Sequence, residues 1–311
     1  MNAPHITVAI LTHNQASLTL ACLRSYEQLG WPSRVVLLDN GGGSDASRVK
    51  VAFSQRMPDD LTVLIADSNL GVARGRNYLA SIVMTEWIAF LDNDTLFTPE
   101  LLPFFNDLRV TNADLVFPIV LWPDGRVNSA GGRFRPFLSW SSNGYYGSRL
   151  ADARESLERA TDWGLGAAFI VRRECFSNLG GFDAEHGLYG AEDLDFSLRA
   201  KRTGLQSIRV AHAPVIHLDA RSSIPEAERL SSLAKSARLI RSRHGLAVTR
   251  PLSAAWYAFR RSTLLAPLKD LLVLSFRAAR FRDLSGRRAP DLIPSSSPGR
   301  QSRIANTREK P

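Results

Sequence analysis

The sequence predicts an α/β fold built on an open parallel sheet with helices on both faces. Three observations carry this. Short, continuous, β-rich apolar runs recur through the first hundred residues, helix-like segments separate them, and acidic or amide residues follow the runs directly. A strand buried on both faces reads as an unbroken apolar run rather than an alternation. Ligands of such sheets collect beyond the carboxyl ends of the strands.

The elements follow in order. Ile6–Leu11 (ITVAIL) is the first strand and Thr12-His13-Asn14 a turn. Ser17 suits the cap of a helix over Leu18–Leu29, which Gly30-Trp31-Pro32 ends. Arg34–Leu38 is the second strand, closing at Asp39-Asn40, and after a glycine-rich turn Ala46–Ser54 is helical. Leu61–Ile65 is the third strand, Gly71–Val83 a helix and Trp87–Leu91 the fourth strand. Thr98-Pro99-Glu100 starts another helix, with a cap and then proline at the first helical position. Residues 111–150 change character: Gly, Asn, Ser and aromatics predict an irregular or hairpin region, of the kind that walls an active site. Ala167–Val171 returns to strand, 188–203 is loop and then helix, Gln206–Val210 is strand, and 224–247 is an Arg-rich helix. There is no internal repeat.

Charge divides the chain. Its 311 residues carry a formal net charge of +9, but residues 1–220 hold 20 Lys+Arg against 24 Asp+Glu, and 221–311 hold 19 against 6. An acidic body therefore carries a basic extension, and each part needs its own explanation. With 44% hydrophobic residues the chain is not mainly disordered, and two cysteines exclude a disulfide scaffold. Cys22 and Cys175 read as reduced core thiols. The first eleven residues read as a strand rather than a signal peptide, and no apolar stretch of about 18 residues exists. The expected location is cytoplasmic. Residues 251–282 interleave Leu, Phe and Trp256 with Arg and Lys, which suits an interfacial helix on an anionic membrane surface, peripheral on the inner face of the cell membrane. A helix pair packed on the acidic body with solvated arginines is the other explanation. From Ser285 onward Ser, Pro and Arg predict disorder. Nucleic acid is not an expected partner, because no recognised module accompanies the charge.

Carboxylates stand at successive strand ends: Asp39, Asp67, then Asp92-Asn93-Asp94. Each alone suits a turn or a cap, but together they line one crevice. Asp92 and Asp94 offer hard oxygens for Mg²⁺ or Mn²⁺, an ion usually shared with substrate phosphates. A second cluster, Glu192, Asp193 and Asp195, opens the later helix. It suits the helix dipole, and Glu192 beside Asp193 also suits acid–base chemistry, in which neighbouring environments push two pKa values apart. His217 follows a β-rich run and is either structural or a metal ligand.

These segments taken in order, VAILTHN, VVLLDN with GGGSD, DSNLGVARGRN, FLDND, WGLGAAFIVRR, GGFDAEHGLYGAEDLDFSLRAKRTG and VIH, resemble the family 2 glycosyltransferases of GT-A fold, especially the rhamnosyl- and galactofuranosyl-transferase-like branch. The resemblance covers residues 5–220. It implies a catalytic domain over 1–220, with a Rossmann-like nucleotide-sugar half over 1–100, an acceptor half over 101–220 and a mixed central sheet. A helical basic extension over 221–284 and a disordered tail over 285–311 follow. It further implies donor contacts at Thr12, Asn14, Asp39, Asp67, Asn69, Gly71, Arg76 and Asn77, with Arg74 an equally good contact one helical turn before Asn77. Asp92 and Asp94 would hold the divalent ion on the donor diphosphate, and His217 would complete its coordination. Trp163 and Gly166 match the segment before the acceptor-side strand. Asp193 would be the catalytic base, next to Glu192. The chain departs from the family pattern at His13, where tyrosine is frequent, and at Gly190-Ala191, which separate Tyr189 from the acidic pair. The implied reaction is inverting transfer of a sugar from a UDP- or dTDP-sugar to a hydroxyl of a cell-envelope glycan or lipid-linked saccharide.

Two other functions compete. Gly41-Gly42-Gly43-Ser44-Asp45-Ala46 fits the G-x-G-x-x-A dinucleotide fingerprint, which suggests an NAD(P)-dependent Rossmann oxidoreductase, although that fingerprint normally follows the first strand. A catalytically silent nucleotide-sugar-binding protein on the same fold is the other.

Overall fold

A computed structural model describes residues 5–53, 60–108, 112–134, 140, 141, 147–151, 160–218 and 225–245. The chain runs β1 (Ile6–Thr12), α1 (Ala16–Glu27), β2 (Arg34–Asp39), α2 (Ser44–Ala52), β3 (Leu61–Ile65), α3 (Val72–Ile82), β4 (Trp87–Asp92), β5 (Thr95–Leu96) and α4 (Leu101–Asp107). It continues with β6 (Leu115–Leu121), β7 (Val127–Ser129), β8 (Arg133–Phe134), β9 (Trp140–Ser141), β10 (Ala168–Arg172), α5 (Arg173–Asn178), α6 (Glu192–Arg202), β11 (Ser207–His217) and α7 (Glu226–His244).

The parallel expectation holds over β3-β2-β1-β4. Beyond β4 the sheet is mixed: β10 pairs antiparallel with both β4 and β6, β11 runs parallel to β6, and β5 closes antiparallel on β11. This is a Rossmann-like half joined to a mixed half. Strand side chains alternate between faces. Ile6, Val8 and Ile10 enter one core with Tyr26 and Trp87. Ala9 enters the other, where Phe90, Phe117, Phe169, Phe176, Phe182 and Phe196 cluster with ring centroids as close as 5.1 Å. Edge-to-face pairs such as Phe169–Phe196 are the favoured aromatic geometry.

Three local expectations are corrected. Ser17 does not cap α1; the helix begins at Ala16 after Gln15, which makes no side-chain cap bond. Pro99 stands in a turn, with Leu101 N–H donating to the Thr98 carbonyl at 3.1 Å, and α4 itself starts at Leu101; the Thr98 hydroxyl donates to the Pro214 carbonyl at 2.7 Å. Cys22 is a fully buried thiol, but Cys175 is only half-buried and contacts Asp114 Oδ1 at 3.5 Å. Most of the aromatic stretch 134–146, the interfacial segment 251–282 and the tail from Ser285 lie outside the described residues. Among the described residues no helix is long and apolar enough to cross a membrane.

α7 is the described part of the Arg-rich segment, and it docks on α6. Ile240 packs on Leu194 and Leu198. Ser236 lies so near Gly190 that a Cβ there would meet its Oγ at 2.0 Å. At the end of α7, Arg202 Nη1 contacts His244 Nδ1 at 2.7 Å. Arginine can only donate, so the ring proton is on Nε2, which donates to Asp195 Oδ1 at 2.7 Å. Arg199 donates to Asp195 Oδ2 at 2.7 Å, and Arg243 pairs with Asp183 and Glu185. Burial pushes the Asp195 carboxyl up, but the His186, His244 and Arg199 side chains outweigh it and hold it far below the usual carboxylate range.

A native value below the unfolded value of about 3.9 contributes stability that is fully present above it and is lost as pH falls through the native value. Urea midpoints measured from pH 6 down to pH 3 should therefore fall more steeply in the wild type than in Asp195→Asn. Parallel curves would refute this assignment.

Candidate active site

β4 ends at Asp92, and the turn Asn93-Asp94 leads into β5. β5 pairs with the end of β11, which sets His217 opposite Thr95. His217 Nε2 lies 3.0 Å from Asp94 Oδ1. Ligand atoms of Asp92, Asp94 and His217 all lie within 4.8 Å of one another. Two carboxylates and an imidazole on one point suit a divalent ion such as Mg²⁺ or Mn²⁺. The Asp92 side chain is 39% exposed, so the group opens on the crevice. Partial desolvation within the crevice pushes the Asp92 carboxyl up and Asp94 adds to this, while Arg76 and His217 oppose it.

Arg76 joins this group to the second acidic cluster. Its guanidinium is buried and donates to Asp92 Oδ1 at 2.6 Å, to the Gly166 carbonyl at 2.9 Å and to Glu192 Oε1 at 3.2 Å. α3 supplies the arginine, β4 the first carboxylate, the loop before β10 the carbonyl and α6 the second carboxylate. Asp193 Oδ2 accepts from Gly166 N–H at 2.7 Å and Oδ1 from Leu194 N–H at 2.7 Å. A Cβ at Gly166 would lie 3.0 Å from both Arg76 Nη1 and Asp193 Oδ2, so glycine permits this convergence. Burial and then the Asp193 charge push the Glu192 carboxyl up to about 8, against Arg76. Burial also raises Asp193, opposed by Arg76 and its two backbone donors. A carboxylate raised toward neutrality is suited to taking a proton. Tyr189 stands close to these acids; burial first, then Asp92 and Glu192, push its hydroxyl up to about 12. Arg229 of α7 lies 5.9 Å from its ring centroid.

The remaining expected residues divide between crevice and scaffold. Asp39 is buried, and its oxygens accept from Gly41 N–H at 2.8 Å and Ala46 N–H at 2.7 Å. The glycine loop thus wraps a carboxylate after β2, and the turn after β1 is Thr12-His13-Asn14, an arrangement unlike the dinucleotide fingerprint. Asn69 accepts from Gly71 N–H at 2.9 Å and contacts His13 Nε2 at 3.3 Å. Gly71, at φ 79, starts α3 where a Cβ would meet the Gly187 carbonyl at 2.6 Å. Asn77 clamps the Phe182 backbone, donating to its carbonyl at 2.7 Å and accepting from its N–H at 2.9 Å. Trp163 packs against Leu194, Leu198 and Ile240. Asn14, Asp67 and Arg74 are exposed. The Thr12 hydroxyl points inward, to Asp45 and Thr19. Sequence reasoning missed Asn40, whose amide carbonyl accepts from Leu70 N–H at 2.9 Å. Its place directly after Asp39 was the available signal. It also missed the hub role of Arg76, for which spacing offers none.

Removing one partner of a buried charge network leaves the others uncompensated, at about 3–5 kcal/mol. Arg76→Ala should lose stability of that order in denaturant titration, while exposed Arg74→Ala should stay within about 0.5 kcal/mol of wild type.

Residues 7–169 match the description "Glycosyl transferase family 2". The chain is 27% identical over 231 residues to an N-acetylglucosaminyl-diphospho-decaprenol L-rhamnosyltransferase of Mycobacterium tuberculosis, covering 67% of this chain and 71% of that protein. Its fold is similar to that of GalNAc-T7 in a crystal structure with UDP, GalNAc and Mn²⁺, at TM-score 0.55 and 15% identity over 76% of this chain. The match spans about half of GalNAc-T7, 47%. It is also similar to the mannosyltransferase PcManGT from Pyrobaculum calidifontis in complex with GDP-Man and Mn²⁺, at TM-score 0.52 and 18% identity over 92% of this chain and 88% of that one. The chain belongs to glycosyl transferase family 2, and is a glycosyltransferase of GT-A fold.

Proposed function

We propose that the chain transfers a sugar with inversion from a UDP- or dTDP-sugar to a hydroxyl of a cell-envelope glycan or lipid-linked saccharide. The observation that carries this is the pairing across Arg76 of the Asp92–Asp94–His217 group with the Asp193 carboxylate. The lipid-linked class draws support from the name of the mycobacterial relative. Mn²⁺ in the two similar complexes supports a divalent ion here.

Asp92, Asp94 and His217 would hold Mg²⁺ or Mn²⁺, which when bound supplies Lewis-acid stabilisation of the leaving diphosphate. Asp193 accepts the proton of the acceptor hydroxyl as its oxygen bonds the anomeric carbon and the bond to the diphosphate oxygen breaks. Arg76 neutralises the inner side of Asp92 and Glu192, which keeps these acids close together. The crevice residues Asn14, Asp67, Asn69, Arg74 and His13 line the donor side, with Asp39, Gly71 and Asn77 shaping its loops and Trp163 and Gly166 its acceptor edge. General-base catalysis contributes about 10²–10⁴-fold. Asp193→Asn should therefore lose at least 10²-fold in kcat, while a thermal shift with UDP- or dTDP-sugar and Mn²⁺ still reports donor binding. Wild-type protein that binds NADH and ignores every nucleotide sugar would overturn the reading.

The basic extension, including residues 251–282, is proposed to hold the enzyme on an anionic membrane surface near such an acceptor. A chain truncated after residue 250 should lose sedimentation with phosphatidylserine vesicles. Undiminished sedimentation would sink this part alone.

A further inference from the structure

We infer that Asn93, the middle residue of Asp92-Asn93-Asp94, is anchored by a buried hydroxyl–carboxylate network that aims the two flanking carboxylates, so that Thr12, Thr19 and Asp45 are positioning residues. This rests on the reading of Asp92, Asp94 and His217 as a divalent-ion site.

Asn93, Thr12, Thr19 and Asp45 are all buried, and they come from four elements or their ends. The Asn93 amide nitrogen has two hydrogens and two acceptors, Thr19 Oγ1 at 3.1 Å and Thr12 Oγ1 at 3.3 Å. The single Thr12 hydroxyl proton goes to Asp45 Oδ2 at 2.6 Å, which leaves its lone pairs for Asn93 and for Thr19 at 2.7 Å. The single Thr19 proton therefore goes to Thr12, and the Gln15 carbonyl, at 3.2 Å from Thr19 Oγ1, is only the longer arm of a bifurcated bond. Asp45 Oδ2 accepts in addition from Gln15 N–H at 2.8 Å, which ties the network to the turn between β1 and α1. The donor and acceptor count favours an amide at position 93: a carboxylate there has no hydrogen for Thr12, whose own proton is already on Asp45. With Asn93 held inward, Asp92 and Asp94 reach the same 4.8 Å group with His217. Groups that orient metal ligands typically change metal affinity about 10–100-fold when removed.

The test is Mn²⁺ titration of the full chain, followed by loss of the free-ion EPR signal, with thermal melting alongside. Thr19→Val, which removes the hydroxyl at nearly constant shape, should weaken Mn²⁺ about tenfold or more. Thr19→Ser should restore it, and Asn93→Asp should weaken it as well. If Thr19→Val melts earlier but binds Mn²⁺ like wild type, the network is structural only and the inference fails. Tighter Mn²⁺ binding by Asn93→Asp would also overturn it, because the residue would then be free to turn into the crevice. Should Thr19→Val not fold, Asn93→Ser is titrated in its place and unchanged affinity again counts against the inference. A wild type that binds no Mn²⁺, either alone or with UDP present, overturns the metal reading itself; a wild type that binds, with unaltered variants, overturns only the positioning role.

Discussion

The buried guanidinium of Arg76 is the interaction on which the rest of the site depends. It touches a strand end, a loop carbonyl and a helix start at once. Without a cation there, Asp92, Glu192 and Asp193 would be three acids converging in a poorly solvated crevice. Like charges this close cannot all ionise at neutral pH. Arginine suits the task because its planar fork reaches several acceptors in fixed directions and stays charged when buried.

That arrangement makes the fold answer to electrostatics as well as to packing. The sheet places β4 beside β10, and the aromatic cluster of Phe90, Phe169, Phe182 and Phe196 fills the space beneath. Arg76 also lies 5.7 Å from the Phe182 ring centroid, so the aromatic floor supports the cation. The backbone of the same Phe182 is clamped by Asn77, one residue on from Arg76. Packing and charge are thus settled by adjacent residues of one helix.

α7 adds a second layer of control. It presses on α6, whose first residues are Glu192 and Asp193, and is fastened there by the buried Asp195 with Arg199 and His244. Asp183, His186 and Asp195 form a second group of close ligand atoms, but Arg199 and Arg243 already neutralise both carboxylates. It is better understood as a clasp than as an ion site. The basic part of the chain therefore begins as a structural partner of the helix that carries Glu192 and Asp193.

The sequence by itself determined the strands of the first half and the acids at their ends. Trp87–Leu91 was legible because a strand buried on both faces leaves an unbroken apolar run, Leu61–Ile65, at the sheet edge and only partly buried, because its residues are β-rich, and Asp92-x-Asp94 because position after a strand is local information. For the pair Glu192–Asp193 adjacency alone left acid–base chemistry level with a plain dipole explanation, and only the resemblance favoured the first. Tertiary structure alone decided which residues are hubs. Arg74 and Arg76 look alike in sequence, yet one is exposed and the other buried against acids 16 and 116 positions away. Thr12 reads as a ligand contact but spends its proton on Asp45, and the Thr98 hydroxyl spends its own on the distant Pro214 carbonyl. A side chain has only so many protons and lone pairs, and their partners come from distant segments, so their allocation cannot be read along the chain.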